Sequence, residues 1–163
     1  PAPDVKFAAV VEGAKELKKR LEKLGFKPFV KPTGGKGLHV VIAIKGADWP
    51  QAKAFAKAVA VQLEADDPAR YTTTIAKKAR GGKIFVDYLR NDRTSTGVAP
   101  WSPRAREGAT IAVPLEWKEL TANLNPQKFT IPTSAKLLKK PDPWKGLAAS
   151  AKPIAAAMKK LGD

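Results

Sequence analysis

Residues 29–44 read Phe-Val-Lys-Pro-Thr-Gly-Gly-Lys-Gly-Leu-His-Val-Val-Ile-Ala-Ile, and this stretch restricts the fold more than any other. Its second half is apolar and rich in β-branched side chains, the composition of a buried strand. Ahead of that strand, Thr33-Gly34-Gly35-Lys36-Gly37 puts three glycines into four positions. Such a loop is free to adopt φ > 0 and to approach a ligand closely. Its exposed N–H groups, with Lys36 among them, suit a phosphate. The bland alternative is a glycine-rich hairpin loop with a solvated lysine. The loop is not a Walker A motif, because Lys36 is followed by Gly37 instead of Ser or Thr, and by a strand instead of a helix. His39, inside the strand, is the chain's only histidine.

Charge narrows the partners. The 163 residues hold 30 Lys+Arg against 15 Asp+Glu, a formal charge of +15. That surplus favours polyanions such as nucleic acid or nucleotides, although a merely solvated lysine-rich surface has the same composition. With no cysteine and one histidine, disulfides, thiolate metal sites and zinc sites built on paired histidines are excluded. No run approaches the roughly 18 apolar residues of a membrane span, and no secretory pattern opens the chain. A soluble, intracellular protein without a membrane partner is expected. A domain of this length can bury about 70% of its unfolded surface.

In chain order, residues 1–4 read as a turn. Phe7, Val10, Val11, Ala14, Leu17, Leu21 and Leu24 then recur at helical spacing, which predicts a helix over 5–24 that stops at Gly25. Strands are expected at 26–31 and 38–44, and a helix at 49–64 capped by Asp48 with Pro50 early in it. Residues 70–80 are ambiguous. A strand at 83–88 follows, with Asp87 on the face of Phe85, where an ionised carboxylate is costly unless paired or on a metal. Between 70 and 106 stand nine basic residues and two acids, Asp87 and Asp92. One carboxylate in such a field can hold a divalent cation while arginines bind the accompanying phosphates. The alternative is that Asp87 caps the strand end against an arginine.

Further on, short strands are expected at 98–101, 110–115 and 129–131. Helical turns are expected at 117–120 and 136–140, and a last amphipathic helix carries Leu147, Ala151, Ile154, Met158 and Leu161. Trp117, Trp144, Met158 and Phe85 are expected in the core. The order α–β–β–α–β is that of a ferredoxin-like or RNA-recognition-like module without its first strand. The fold class is therefore α+β, with an antiparallel or mixed sheet in residues 1–100 and a C-terminal extension with helices in 101–163. The missing strand is expected upstream.

Five segments together, 31–40, 82–91, 98–106, 114–117 and 142–144, resemble the polymerase domain of bacterial ligase D, of the archaeo-eukaryotic primase superfamily. The resemblance covers nearly the whole chain and corresponds to the C-terminal half of that domain. It implies a template-dependent nucleotidyltransferase acting in non-homologous end joining, in the cytoplasm at the nucleoid. It implies Mn²⁺ or Mg²⁺, NTP or dNTP substrates, DNA with 5′-phosphorylated ends, and a ligase domain and the Ku protein as partners. By resemblance Asp87 is the third catalytic carboxylate and a metal ligand. His39 and Thr33 match a Ser-x-His-type motif that contacts the incoming phosphates, and Arg90 and Arg104 match triphosphate-binding residues. Asp87 and His39 are thus the candidate catalytic residues. Thr33, Gly34, Gly35, Lys36, Gly37, His39, Arg90 and Arg104 are the candidate phosphate-binding set.

Two departures from the family stand out. Thr33 replaces its serine, and Pro32 the threonine before it. No Asp-x-Asp pair occurs in the chain. Two-metal phosphoryl transfer needs carboxylates bridging ions about 3.5–4 Å apart, which Asp87 alone cannot supply. The 163 residues on their own are therefore expected to lack polymerase activity. The rival functions are a non-catalytic DNA-end binder and a structural subunit that completes its sheet with a separate N-terminal half. A generic RNA-recognition domain is disfavoured because exposed stacking aromatics are lacking.

Overall fold

The computed structural model describes residues 4–162; the turn expected at the start falls mostly on residues 1–3, outside them. Helix α1 spans Phe7–Lys23, and Val10, Val11, Ala14 and Leu21 of its apolar face are buried. It ends in a Schellman arrangement: Phe26 N donates to Leu21 O at 2.9 Å and Gly25 N to Glu22 O at 2.9 Å. Phe26 and Leu21 pack in the same apolar cluster, the contact that accompanies this motif.

Strands β1 (Phe29–Pro32) and β2 (Leu38–Val41) form an antiparallel hairpin around the glycine-rich loop. Its register sets Lys31 opposite His39 and Val30 opposite Val40. Both strands are displaced or shorter than expected. Residues 26–28 lead into β1 without pairing, and β2 ends at Val41, leaving Ile44 in an isolated parallel bridge to Lys152. Helix α2 spans Trp49–Asp66, opened by a reciprocal capping box between Asp48 and Gln51. It buries Phe55, Val59, Ala60 and Leu63.

The ambiguous stretch resolves into β3 (Tyr71–Thr72), parallel to β4 (Ile84–Phe85), with a 3₁₀ turn at Lys77–Arg80 between them. The strand expected over 83–88 is thus cut to two residues, with Val86 N still donating to Thr72 O at 2.9 Å. Asp87 lies beyond the strand and turns the chain, so it does not share a sheet face with Phe85.

Among the described residues, 98–101 form no strand, although Trp101 N donates to Ala112 O at 2.8 Å. Residues 110–115 run extended and buried, held by single bridges: Thr110 to Thr130, Ile111 to Pro103, Leu115 to Val30. Residue 131 starts a short helix, α3 (Ile131–Ser134), instead of ending a strand. The last helix is only α4, Ala155–Gly162, with a separate 3₁₀ turn at Ala148–Ser150.

The core divides into three clusters. α1, β1 and residues 111–120 bury Val11, Val30, Val113 and Leu120. The end of α1, with α2 and α4, buries Leu21, Phe55, Val59 and Ile154. Leu63, Tyr71 and Ile84 form the third. Trp144 is buried and its Nε1 donates to Val30 O at 3.1 Å, while Trp117 is half-buried and donates to Pro28 O at 2.8 Å. Both tryptophans therefore bind the chain to β1, as core residues whose N–H groups find partners. Met158 packs at the edge of the second cluster. Phe85 is only half-buried, with the Arg80 guanidinium 3.8 Å from its ring centroid.

Candidate functional site: a basic cleft between two small sheets

Among the described residues, strand β2 is bonded only to β1, and β4 only to β3. Between their free edges runs a cleft of about 530 Å³, floored by Val10, Gly13 and Leu17 of α1. Thr33, Gly37, His39, Asp87, Arg90 and Arg104 line it. Six of the residues singled out in the sequence, from three separate segments, thus meet in one place.

The loop is closed by Thr33, whose backbone N and hydroxyl both donate to Gly37 O, at 3.0 and 3.1 Å. Thr33 therefore spends its hydroxyl proton inside the loop and keeps lone pairs to accept with. Gly34 has φ +74°, and an added Cβ would sit 2.9 Å from Arg104 Cγ and 3.0 Å from Thr110 Oγ1. A Cβ on Gly35 would fall 2.5 Å from Arg106 Nη1. Gly34 is thus required both by backbone conformation and by Arg104 and Thr110 packed against it, while a side chain at Gly35 would displace the end of the Arg106 side chain. Gly34 O accepts from Thr110 Oγ1 at 2.5 Å and from Arg106 Nη1 at 3.1 Å. Thr33, Gly37 and Arg104 line the cleft, whereas Gly34, Gly35 and Lys36 of the predicted set do not. Lys36 stands exposed on the loop.

Asp87 acts as the turn cap that was one of its two sequence readings. Its Oδ1 accepts from Leu89 N at 3.0 Å and its Oδ2 from Arg90 Nε at 2.8 Å. Arg90 also reaches Thr96 O at 3.2 Å, fixing the polar loop. Lys53 of α2 holds the same loop through Asp92 at 2.6 Å. The adjacent acids at the end of α2 are engaged elsewhere: Asp66 with Arg20 at 2.5 Å, and Asp67 in accepting from Arg70 N at 3.1 Å. Among the described residues, no three His, Cys, Asp or Glu side chains group to hold a metal ion. The described residues alone therefore do not assemble a two-ion centre.

Electrostatics set the state of His39. Burial pushes its pKa down to about 4, and the positive charges of Lys31, Arg90 and Arg104 push the same way, against Asp87. The ring is neutral at physiological pH. Lys31, directly across the hairpin, is 2% exposed. Burial and then Arg104 pull its ammonium down to about 8. Sequence reasoning missed Lys31, Arg106 and Thr110. Lys31 was legible in principle, since five residues between Pro32 and Leu38 set residue 31 opposite 39.

The class defined here is an α+β domain in which a basic cleft separates two small sheets. The chain belongs to the LigD primase-polymerase domain family, whose model matches residues 1–144. It is 34% identical over 164 aligned residues to the multifunctional non-homologous end joining protein LigD of Pseudomonas aeruginosa, covering 98% of this chain and 20% of that protein. It is 32% identical to the bifunctional LigD of Bacillus subtilis, covering 82% of this chain and 22% of that one. The chain thus spans about a fifth of these curated relatives. It superimposes with a TM-score of 0.82 on the polymerase domain of Mycobacterium tuberculosis ligase D in complex with DNA. The match has 31% identity and covers 93% of this chain and 53% of that one. No helix among the described residues is long and apolar enough to cross a membrane.

Proposed function

We propose that this chain is the nucleotide-binding part of a template-dependent nucleotidyltransferase that works on DNA ends in non-homologous end joining. The observation that carries this reading is the convergence of Thr33 and Gly37, the two ends of the glycine loop, with His39, Asp87, Arg90 and Arg104 on one cleft. In nucleotidyl transfer a 3′-hydroxyl attacks the α-phosphorus of a nucleoside triphosphate and pyrophosphate leaves. The chemistry rests mostly on positioning and charge stabilisation. Arg90, Arg104 and Lys36 offer positive charge to the leaving polyphosphate, and the loop offers backbone N–H groups. His39, being neutral, donates a hydrogen bond without adding charge. Asp87 would contribute one ligand to Mn²⁺ or Mg²⁺, the rest coming from carboxylates outside the described residues.

The cleft also supports a first strand. In a β–α–β–β–α–β module the first strand lies between the third and the last, which here are β2 and β4. Their facing edges are unpaired, and the Tyr71 hydroxyl at the cleft is buried without a hydrogen-bond partner among the described residues. A strand carrying an Asp-x-Asp pair in this slot would bring two carboxylates beside Asp87. Residues 1–100 are then the recognition-like module and 101–163 its extension. DNA with a 5′-phosphorylated end, NTP or dNTP, a ligase domain and Ku are the partners of this reading.

The test is ribonucleotide addition with Mn²⁺ on a 5′-phosphorylated gapped duplex. The chain alone is compared with the same chain preceded by a segment containing an Asp-x-Asp strand. Addition only by the extended form is expected, with Asp87→Ala abolishing it. Activity in neither form, together with retained DNA binding, would overturn the catalytic reading in favour of a DNA-end binder.

A further inference from the structure

The pairing of Lys31 with His39 has a chemical consequence. The hairpin register puts the two residues directly opposite, so their side chains share one face of the ribbon. Lys31 Nζ donates to Val98 O at 2.6 Å and lies 3.1 Å from His39 Nδ1. An ammonium has three donors and no acceptor. The ring nitrogen it faces must therefore offer a lone pair. In a neutral imidazole the proton then sits on the other nitrogen, Nε2. That nitrogen lies across the ring from Lys31, and His39 lines the cleft. The Cε1 edge of the ring is 4.0 Å from where a Cβ on Gly97 would stand, so the loop wall is close and smooth there.

We propose that Lys31 is a positioning residue: it locks His39 in the Nε2–H tautomer, so that the ring presents a hydrogen-bond donor, suited to a phosphate oxygen, to the cleft. Lys31 is held in turn by Val98 O, which stands at the end of the loop fixed by Asp87, Arg90 and Asp92. Lysine is suited to the task because a compact ammonium serves both acceptors from one atom. Second-sphere partners that fix a histidine's tautomer are a general device, since the bond made by one nitrogen decides what the other can do. The charged groups facing the ring are Lys31, Arg90, Arg104 and Asp87, and three of the four disfavour a second ring proton. The tautomer assignment stands on the hairpin geometry alone; its use toward phosphate rests on the reading of the cleft given above.

Because His39 is the chain's only histidine, ¹⁵N-imidazole labelling reads one residue. At pH 7 the 163-residue chain should give a pyridine-type shift at Nδ1 and a pyrrole-type shift at Nε2. Lys31→Met should move both toward the averaged values of a ring that samples two tautomers. Lys31→Gln, which keeps a neutral donor, should restore the locked pattern. ATP·Mg²⁺ affinity, measured by calorimetry, should fall about 2–10-fold in Lys31→Met, the range of one hydrogen bond. A protonated Nδ1 in the unmodified chain would overturn the proposal. So would shifts unchanged in Lys31→Met when its thermal melt shows a folded chain. If the tautomer responds as expected but His39→Ala leaves ATP affinity unchanged, the nucleotide reading of the cleft fails and the lock remains.

Discussion

Gly34 shows how closely the loop is specified at the scale of one residue. Its φ of +74° lies in the left-handed region, and a Cβ there would meet both Arg104 and Thr110. Left-handed backbone costs a non-glycine residue about 1–2 kcal/mol, before any clash. Gly34→Ala should therefore lower stability by at least that amount in urea unfolding. It should also displace Arg104, so nucleotide affinity should drop more than the stability loss accounts for. An equally stable Gly34→Ala chain would show that the loop relaxes freely. The glycine run was conspicuous in the sequence, but the reason for it was only half visible. Conformational freedom was readable from composition; the arginine packing was not, because Arg104 and Arg106 come from 70 residues further along.

At the scale of elements, the long helices are specified locally and the short strands are not. α2 begins where Asp48 and Gln51 satisfy each other's free backbone groups, at Oδ1–N and N–Oε1 distances of 2.8 and 2.9 Å. Asp48→Ala should cost about 1 kcal/mol, read as a lower denaturation midpoint with unchanged slope. No change would mean that Pro50 and tertiary packing set the helix start unaided. Helical periodicity fixed both α1 and α2 to within a few residues, because their apolar faces and end signals are written within them. The strands fared worse. Residues 83–88 and 38–44 carry mostly apolar side chains, yet pairing stops where the neighbouring chain stops. Apolar alternation reports a buried extended segment, and a strand needs a partner as well. Residues 110–115 show the same physics: extended and buried, held by single bridges.

For the whole molecule, the +15 charge is the property that every partner meets first. Four of the eight ion pairs among the described residues are local contacts three or four positions apart, and pairing leaves the net surplus unchanged. If the surplus serves DNA, affinity for a duplex should fall steeply with salt, each phosphate contact adding about 0.9 to the slope of log K against log salt. Arg104→Ala should then lower that slope by about one, uniformly across sequences. A salt-independent affinity would assign the charge to solubility alone.

The sequence by itself determined the family, the two long helices, the hairpin and six of the residues that line the cleft. Each of these is encoded by neighbours close in the chain: periodicity, caps, a glycine loop, short motifs in a fixed order. Only the tertiary structure decided what those residues do to one another. It turned Asp87 off the sheet and onto Arg90, spent the Thr33 proton on Gly37, and buried Lys31 against His39. The physical reason is that protonation state and hydrogen-bond supply depend on burial and on charges brought together across the fold, and no local pattern contains them.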